Sequence, residues 1–311
     1  MDKLKVFFDK FQNVMEEKVV PVATRIASQK HLSALRDGLT ILIPFTVIGG
    51  ISLMIANPPV DLEVMKPTNF FFQFMIMWKN WATDWATLLT IPFHLTIGII
   101  SVYVVLGISY RFSKYYKMEA LPNSLTALFV FLCVAGVPQS INEGSFIDVS
   151  GLGASSMFAA IIIALLVIEI NHWMIIKNLK ISMPKGVPPM VAGPFEVLLP
   201  LVVNTILFIV LDQVIFMITG SGLTNLVFTI FSPLISATAS LPSMLFIVVL
   251  TVVFWFFGIH GDNMVSAITT PIFTGNLVAN LDAYNAGKDI PNIIAGNFTF
   301  IFGLAIVYLA I

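Results

Sequence analysis

The sequence predicts an all-α, polytopic helical membrane protein with re-entrant hairpin segments in its carboxyl-terminal part. Three observations carry that expectation. Of 311 residues, 58% are hydrophobic and only 11% are charged, with a mean hydropathy of +0.94. Soluble domains are about one quarter charged. The apolar residues gather into runs that approach the ~20 residues needed to cross a bilayer. Basic residues recur in alternate connections, as orientation by the positive-inside rule demands.

Composition also excludes several classes. The net charge of −1 offers no reason to expect a nucleic-acid partner. A single cysteine, Cys133, rules out internal disulfides and cysteine-based metal clusters, and the four histidines show no pair at helical spacing. Neither a metal nor a cofactor is expected. Asp2, Lys3, Lys5, Asp9 and Lys10 interrupt every apolar run at the amino terminus, so it is not a signal peptide.

Residues 1–36 mix Lys3, Lys5, Lys10, Lys18, Arg25, Lys30 and Arg36 with Val6, Phe7, Phe11, Val14, Val19 and Val20. That pattern suits amphipathic helices on the cytoplasmic surface, broken at Pro21. A first span is expected over residues 39–56, ended by Asn57-Pro58-Pro59. Residues 60–85 carry Trp78, Trp81 and Trp85 among phenylalanines, the composition of an interfacial belt. A second span, residues 88–110, holds Pro92 and His94, the histidine read as a packing residue. Arg111, Lys114 and Lys117 follow it and place that end in the cytoplasm.

A third span covers residues 121–137. The loop 139–150 contains Glu143 and Asp148 but no lysine or arginine, so it reads as exterior. A fourth span, residues 154–170, returns to Lys177, Lys180 and Lys185. From Gly186 to Gly287 no lysine or arginine occurs, and only Glu196, Asp212, Asp262 and Asp282 are acidic. A fifth span over residues 196–218 points outward, with Glu196 expected to favour the dipole at the helix start. Residues 219–240 suit an interfacial connector. A sixth run, residues 245–257, points back inward by parity.

The stretch Phe254–Asn263, F-W-F-F-G-I-H-G-D-N, is the candidate site. An aromatic run breaks at Gly258 and delivers His260, Asp262 and Asn263 within a few residues. Polar groups against such a run are costly, about 2.5–3.5 kcal/mol for a charge at mid-bilayer. Gly258 and Gly261 bracket the histidine and allow a sharp turn and close approach to a ligand. Trp255 is read either as a platform for a sugar face or as a packing tryptophan. Asp262 and Asn263 either contact hydroxyls or cap a helix. From Gly261 to Asn297, Pro271, Gly275, Gly287, Pro291 and Gly296 punctuate a semi-polar stretch with no clean span, read as re-entrant segments lining a cavity.

These residues support a resemblance. Phe254–Asn263, the Met183–Asn204 stretch M-P-K-G-V-P-P-M-V-A-G-P-F-E-V-L-L-P-L-V-V-N and the Phe146–Phe158 run F-I-D-V-S-G-L-G-A-S-S-M-F resemble the membrane-spanning IIC permease of the bacterial sugar phosphotransferase system. The lactose/cellobiose/diacetylchitobiose class is the most similar. The resemblance implies group translocation: a disaccharide enters from outside and receives phosphate at its 6-hydroxyl from a phosphocysteine on a soluble IIB partner, itself served by IIA and the general phosphotransferase proteins. It implies that His260 sits at that hydroxyl; Trp255, Gly258, Gly261, Asp262 and Asn263 are the candidate substrate-site residues beside it.

The same resemblance implies a homodimer in the bacterial inner membrane, and the charge pattern places the amino terminus in the cytoplasm. Residues 37–220 would be the scaffold and dimerisation domain, 221–240 the connector and 241–311 the transport domain. The family's glutamate in a later N-E-P-type motif has no match before Ile311. Residues 298–311 are also too few for a span, so the chain is expected to continue. The alternative function is a proton-coupled secondary sugar transporter using Glu196, Asp212 or His260.

Overall fold

A computed structural model describes residues 30–295, except 61, 63–64, 142–143, 182, 185, 187–194, 239 and 257–260, with isolated positions before residue 30. For residues 254–256, for 140–141 and 234–238, and for most of 261–271, the backbone alone is described.

The first helices are α1 (Lys30–Thr40) and α2 (Ile43–Ala56). They are separated where Pro44 enters the first turn of α2, a position that tolerates a missing N–H. Together they form an apolar stretch of 27 residues, long enough to cross a bilayer. The first span therefore starts nine residues earlier than position 39, inside the segment read as a surface amphipathic helix. Packing explains the difference. Ala34 and Leu35 are buried, and the charge of Lys30 is met by Glu169 at 2.6 Å.

Helix α3 (Phe70–Asp84) is the aromatic belt. Phe70, Phe71, Phe74 and Trp81 are exposed, while Trp78 donates its indole N–H to the carbonyl of Ile55 at 3.0 Å. The second span is a broken one: α4 (Ala86–Leu89), α5 (Ile91–Thr96), a 3₁₀ turn at Ile97–Ile99, then α6 (Ile100–Tyr115). Pro92 opens α5.

Helix α6 lies at the centre, packed by α1, α7 (Ala120–Ala135) and α8 (Met157–Ile176). Its crossing with α1 is a backbone contact. A Cβ on Gly38 would lie 2.6 Å from Ile108 Cα, and one on Gly107 would lie 2.6 Å from the Gly38 carbonyl oxygen. Small residues permit this approach where lipid supplies no hydrophobic drive between helices. Around it Phe93, Ile100, Val104, Ile108, Phe131, Met157 and Ile163 are all but fully buried.

Between α7 and α8 the loop forms a two-stranded antiparallel hairpin, β1 (Pro138–Ile141) and β2 (Gly144–Ile147), with Gln139 opposite Phe146. Two 3₁₀ turns, Val149–Leu152 and Ala154–Ser156, lead into α8. A buried asparagine ladder ties the other end of the bundle. Asn171 donates to Asn123 Oδ1 and Asn204 donates to Asn171 Oδ1, both at 2.8 Å.

Helix α9 (Leu198–Thr219) runs along the outside, and its end turns into α10 (Leu223–Thr238). The connector at 219–240 is thus largely a helix. Leu223 and Val227 are buried, and Phe231 stacks on Phe158 with ring centroids 4.8 Å apart. These positions are one helical face at i, i+4 and i+8. Helices α11 (Leu241–Phe256) and α12 (Gly261–Asn285) then pack together.

Residues 261–285, expected to hold no clean span, are one helix of 25 residues. Its Gly and Pro residues are tolerated because neighbouring helices support the backbone. After α12 the chain doubles back along it. Asn280 donates to the carbonyl of Asn292 at 2.7 Å and accepts its N–H at 2.9 Å, and Asn276 donates to the carbonyl of Ile294 at 2.9 Å. Ile294 and Ala295 are buried there. Polar side chains satisfy this irregular backbone, as burial requires.

Candidate functional site

The helix pair α11–α12 carries the sequence-predicted site. Trp255 lies in the last turn of α11, and Gly261, Asp262 and Asn263 form the first turn of α12. Gly258 and His260 fall in 257–260, outside the described residues. The first N–H groups of a helix have no intrahelical acceptor, and the dipole is positive there. That end suits polar oxygen ligands, and it abuts the position of His260 in the chain.

Three other acids of the helical region are occupied. Glu196 accepts a hydrogen bond from Lys180 Nζ at 2.8 Å, so it serves as an ion-pair partner as well as standing near the start of α9. Asp212 Oδ1 accepts the N–H of Leu223 at 2.7 Å and thereby caps α10. Glu169 is held by Lys30, His31 and Tyr116, at 2.6 Å from each of Lys30 Nζ and His31 Nε2.

Two features escaped the sequence reading. His94 is not a packed residue. It is exposed on a cavity of about 580 Å³ that it lines with Asn57, Thr87 and Thr90 at the meeting of α2, α4 and α5. Tyr284, on α12, donates to the carbonyl of Asn57 at 3.4 Å. Asp282 approaches the same region, since a Cβ on Gly153 would lie 3.9 Å from its Oδ2 and 3.2 Å from the Gly98 carbonyl. The only signal in the sequence was polar types within apolar runs. Among the described residues no cluster of three or more metal-ligating side chains occurs.

Among the described residues, four apolar helical stretches are long enough to cross a membrane, and with the polar-stapled bundle they define a helical membrane protein. Comparison makes the class specific. The family model described as "Phosphotransferase system, EIIC" matches residues 36–311, and the chain belongs to that family. It is 32% identical over 298 residues to a putative permease IIC component YwbA of Bacillus subtilis, covering 93% of this chain and 65% of that one. It is 32% identical over 300 residues to the lichenan permease IIC component of the same organism, covering 93% and 64%. A cellobiose-specific EIIC component of Geobacillus stearothermophilus is 28% identical over 302 residues, with 93% and 65% covered.

Among solved structures, the transporter ChbC, the IIC component from the N,N′-diacetylchitobiose-specific phosphotransferase system, superposes with a TM-score of 0.78. The identity is 32%, with 92% of this chain and 66% of that chain covered. The chain spans about two-thirds of the length of these relatives.

Proposed function

We propose that this chain is the sugar-translocating part of a phosphotransferase permease for a β-linked disaccharide. The observation that carries the reading is the family match over residues 36–311. Relatives named for lichenan, cellobiose, N,N′-diacetylchitobiose and lactose support the substrate class. His260 is assigned to the 6-hydroxyl of the bound sugar, where it orients the hydroxyl and accepts its proton. The phosphoryl group comes from a phosphocysteine on a IIB partner, and transfer depends mainly on positioning and charge stabilisation. Trp255, Gly258, Gly261, Asp262 and Asn263 complete the site.

The amino-terminal helices are the scaffold of a homodimer in the bacterial inner membrane. Lys30 meets Tyr116 and Glu169 at one end of the bundle, and Arg111, Lys114, Lys117 and Lys177 belong to the same helix ends. By the positive-inside rule this end is cytoplasmic.

The test is sugar phosphorylation by membranes carrying the protein, with and without phosphoenolpyruvate and the soluble partners. Donor-dependent sugar phosphate is expected from wild type. His260→Ala is expected to lower its rate about 10²–10⁴-fold, the range of a positioned acid–base group. Uptake of unmodified sugar that ignores the donor and collapses with the proton gradient would sink the proposal.

A further inference from the structure

A second cavity, of about 290 Å³, lies at the end of the scaffold opposite the basic cluster. It is walled by the end of α7, the β-hairpin, the 3₁₀ turns before α8 and the first turn of α10. The side chains that matter are Gln139, Asp148, Ser150, Ser156, Thr224 and Asn225. No lysine or arginine lines it.

Two observations point to a ligand. Ser156 is only 2% exposed, yet its hydroxyl has no hydrogen-bond partner among the described residues. Gln139 and Asn225, both exposed, and Thr224, half-buried, stand at the rim of the same cleft, and their side chains make no hydrogen bond among the described residues. Buried polar groups are normally paired, and one left open, as the Ser156 hydroxyl is, needs an outside partner. The second observation is the polar set that lines the same cleft, completed by an exposed carboxylate. Asp148 Oδ1 accepts the N–H of Ser150 at 2.9 Å, which fixes its orientation at the rim.

The lining is thus one oriented carboxylate, two carboxamides and several hydroxyls. A carboxylate accepts from two neighbouring hydroxyls, while carboxamides and serines both donate and accept. That set matches the vicinal hydroxyls of a neutral sugar, and the absence of cations disfavours phosphate. The volume lies at the small end of the ~300–1,000 Å³ typical of ligand pockets, the scale of one ring and not of a disaccharide.

We infer that this cleft is a second, low-affinity saccharide site that takes one pyranose ring at the mouth of the scaffold. It rests on the reading of the chain as a saccharide carrier. An occupant touches both the scaffold and α10, the helix that joins α9 to the α11–α12 pair. Sugar held there is concentrated beside the connector that leads to the transport helices.

The experiment uses the purified chain in detergent micelles, so that membrane orientation does not matter. In a Cys133→Ser background, Asn225→Cys is alkylated by a polar maleimide with and without methyl β-D-glucoside, cellobiose or calcium chloride. With a Kd of about 5 mM, about 20 mM glucoside slows alkylation about fivefold by mass action. The protection is expected to vanish with Asp148→Asn and to persist with His260→Ala. Gln139→Cys repeats the measurement from the opposite wall should Asn225→Cys fail to fold.

No protection by either sugar overturns the site, as does protection by calcium alone, which would make it a cation site. Protection that disappears in His260→Ala shows an effect relayed from the transport helices and also overturns it. None of these outcomes depends on phosphoryl transfer. Failure of the permease reading therefore shows up separately, in the phosphorylation assay.

Discussion

Helices α8 and α9 have nearly the same length and a comparable apolar character, yet they live in different surroundings. Along α8, Ala159, Ala160, Ile163, Ala164 and Val167 are buried to 1% exposure or less. Along α9, Ile206 is 60% exposed, Val210 54% and Met217 81%, and only Pro200, Asn204 and Phe208 are buried. Hydropathy alone does not separate them, because lipid tails and protein interiors are both apolar. The difference lies in residue size. Three alanines on α8 let α6 and α7 approach closely, whereas α9 has no alanine or glycine at all. Small residues, more than hydrophobic ones, mark helix contacts inside a membrane.

That contrast can be broken most severely from the lipid side. Ile206→Lys places a charge near the middle of α9, at a cost of about 2.5–3.5 kcal/mol. The expected outcome is a large loss of folded protein in the membrane fraction, read by size exclusion in detergent. Near-normal yield would mean that this face meets water instead of lipid.

Ala164→Leu attacks the interior. Overpacking a filled site costs about 1–3 kcal/mol, so the thermal midpoint in detergent should fall clearly. An unchanged midpoint would show that α8 has room to move. The asparagine ladder gives a slightly smaller effect. Asn171→Leu leaves Asn123 and Asn204 without their shared partner, and interhelical hydrogen bonds in membranes are worth about 1–2 kcal/mol. The loss should be measurable as a lowered midpoint, and a double substitution with Asn123→Leu should cost less than the sum. At the bottom of the scale, Val210→Ala on α9 should shift the midpoint by no more than about 0.5 kcal/mol equivalent. A larger shift would reveal a protein partner on that face.

Much of this was legible in advance. The spans near residues 121–137, 154–170 and 196–218 correspond to α7 (Ala120–Ala135), α8 (Met157–Ile176) and α9 (Leu198–Thr219) within a few residues, because an uninterrupted apolar run has one stable form in lipid. The family was legible too, from the stretch around His260. What escaped detection had a common cause. Lys30 read as a surface charge because its partner, Glu169, is identified only by contact. The long α12 was hidden by its glycines, proline and asparagines, whose effect depends on what packs around them. His94 read as a packing residue, since nothing in its local run shows that α2 and α4 leave a cavity beside it.

The sequence by itself determined the class of molecule, its membrane medium and most helix positions, and it nominated the residues of the candidate site. These follow from local quantities: run length, charge spacing and the type of residue next to a break. The tertiary structure alone decided which apolar helix faces the interior, which acids are paired and where polar side chains meet across elements. Glu196 and Asp212 look like proton relays in one dimension and are an ion-pair partner and a helix cap in three. The reason is physical: a buried charge or amide is characterised by its partner, and partners such as Asn123, Asn171 and Asn204 lie far apart in the chain.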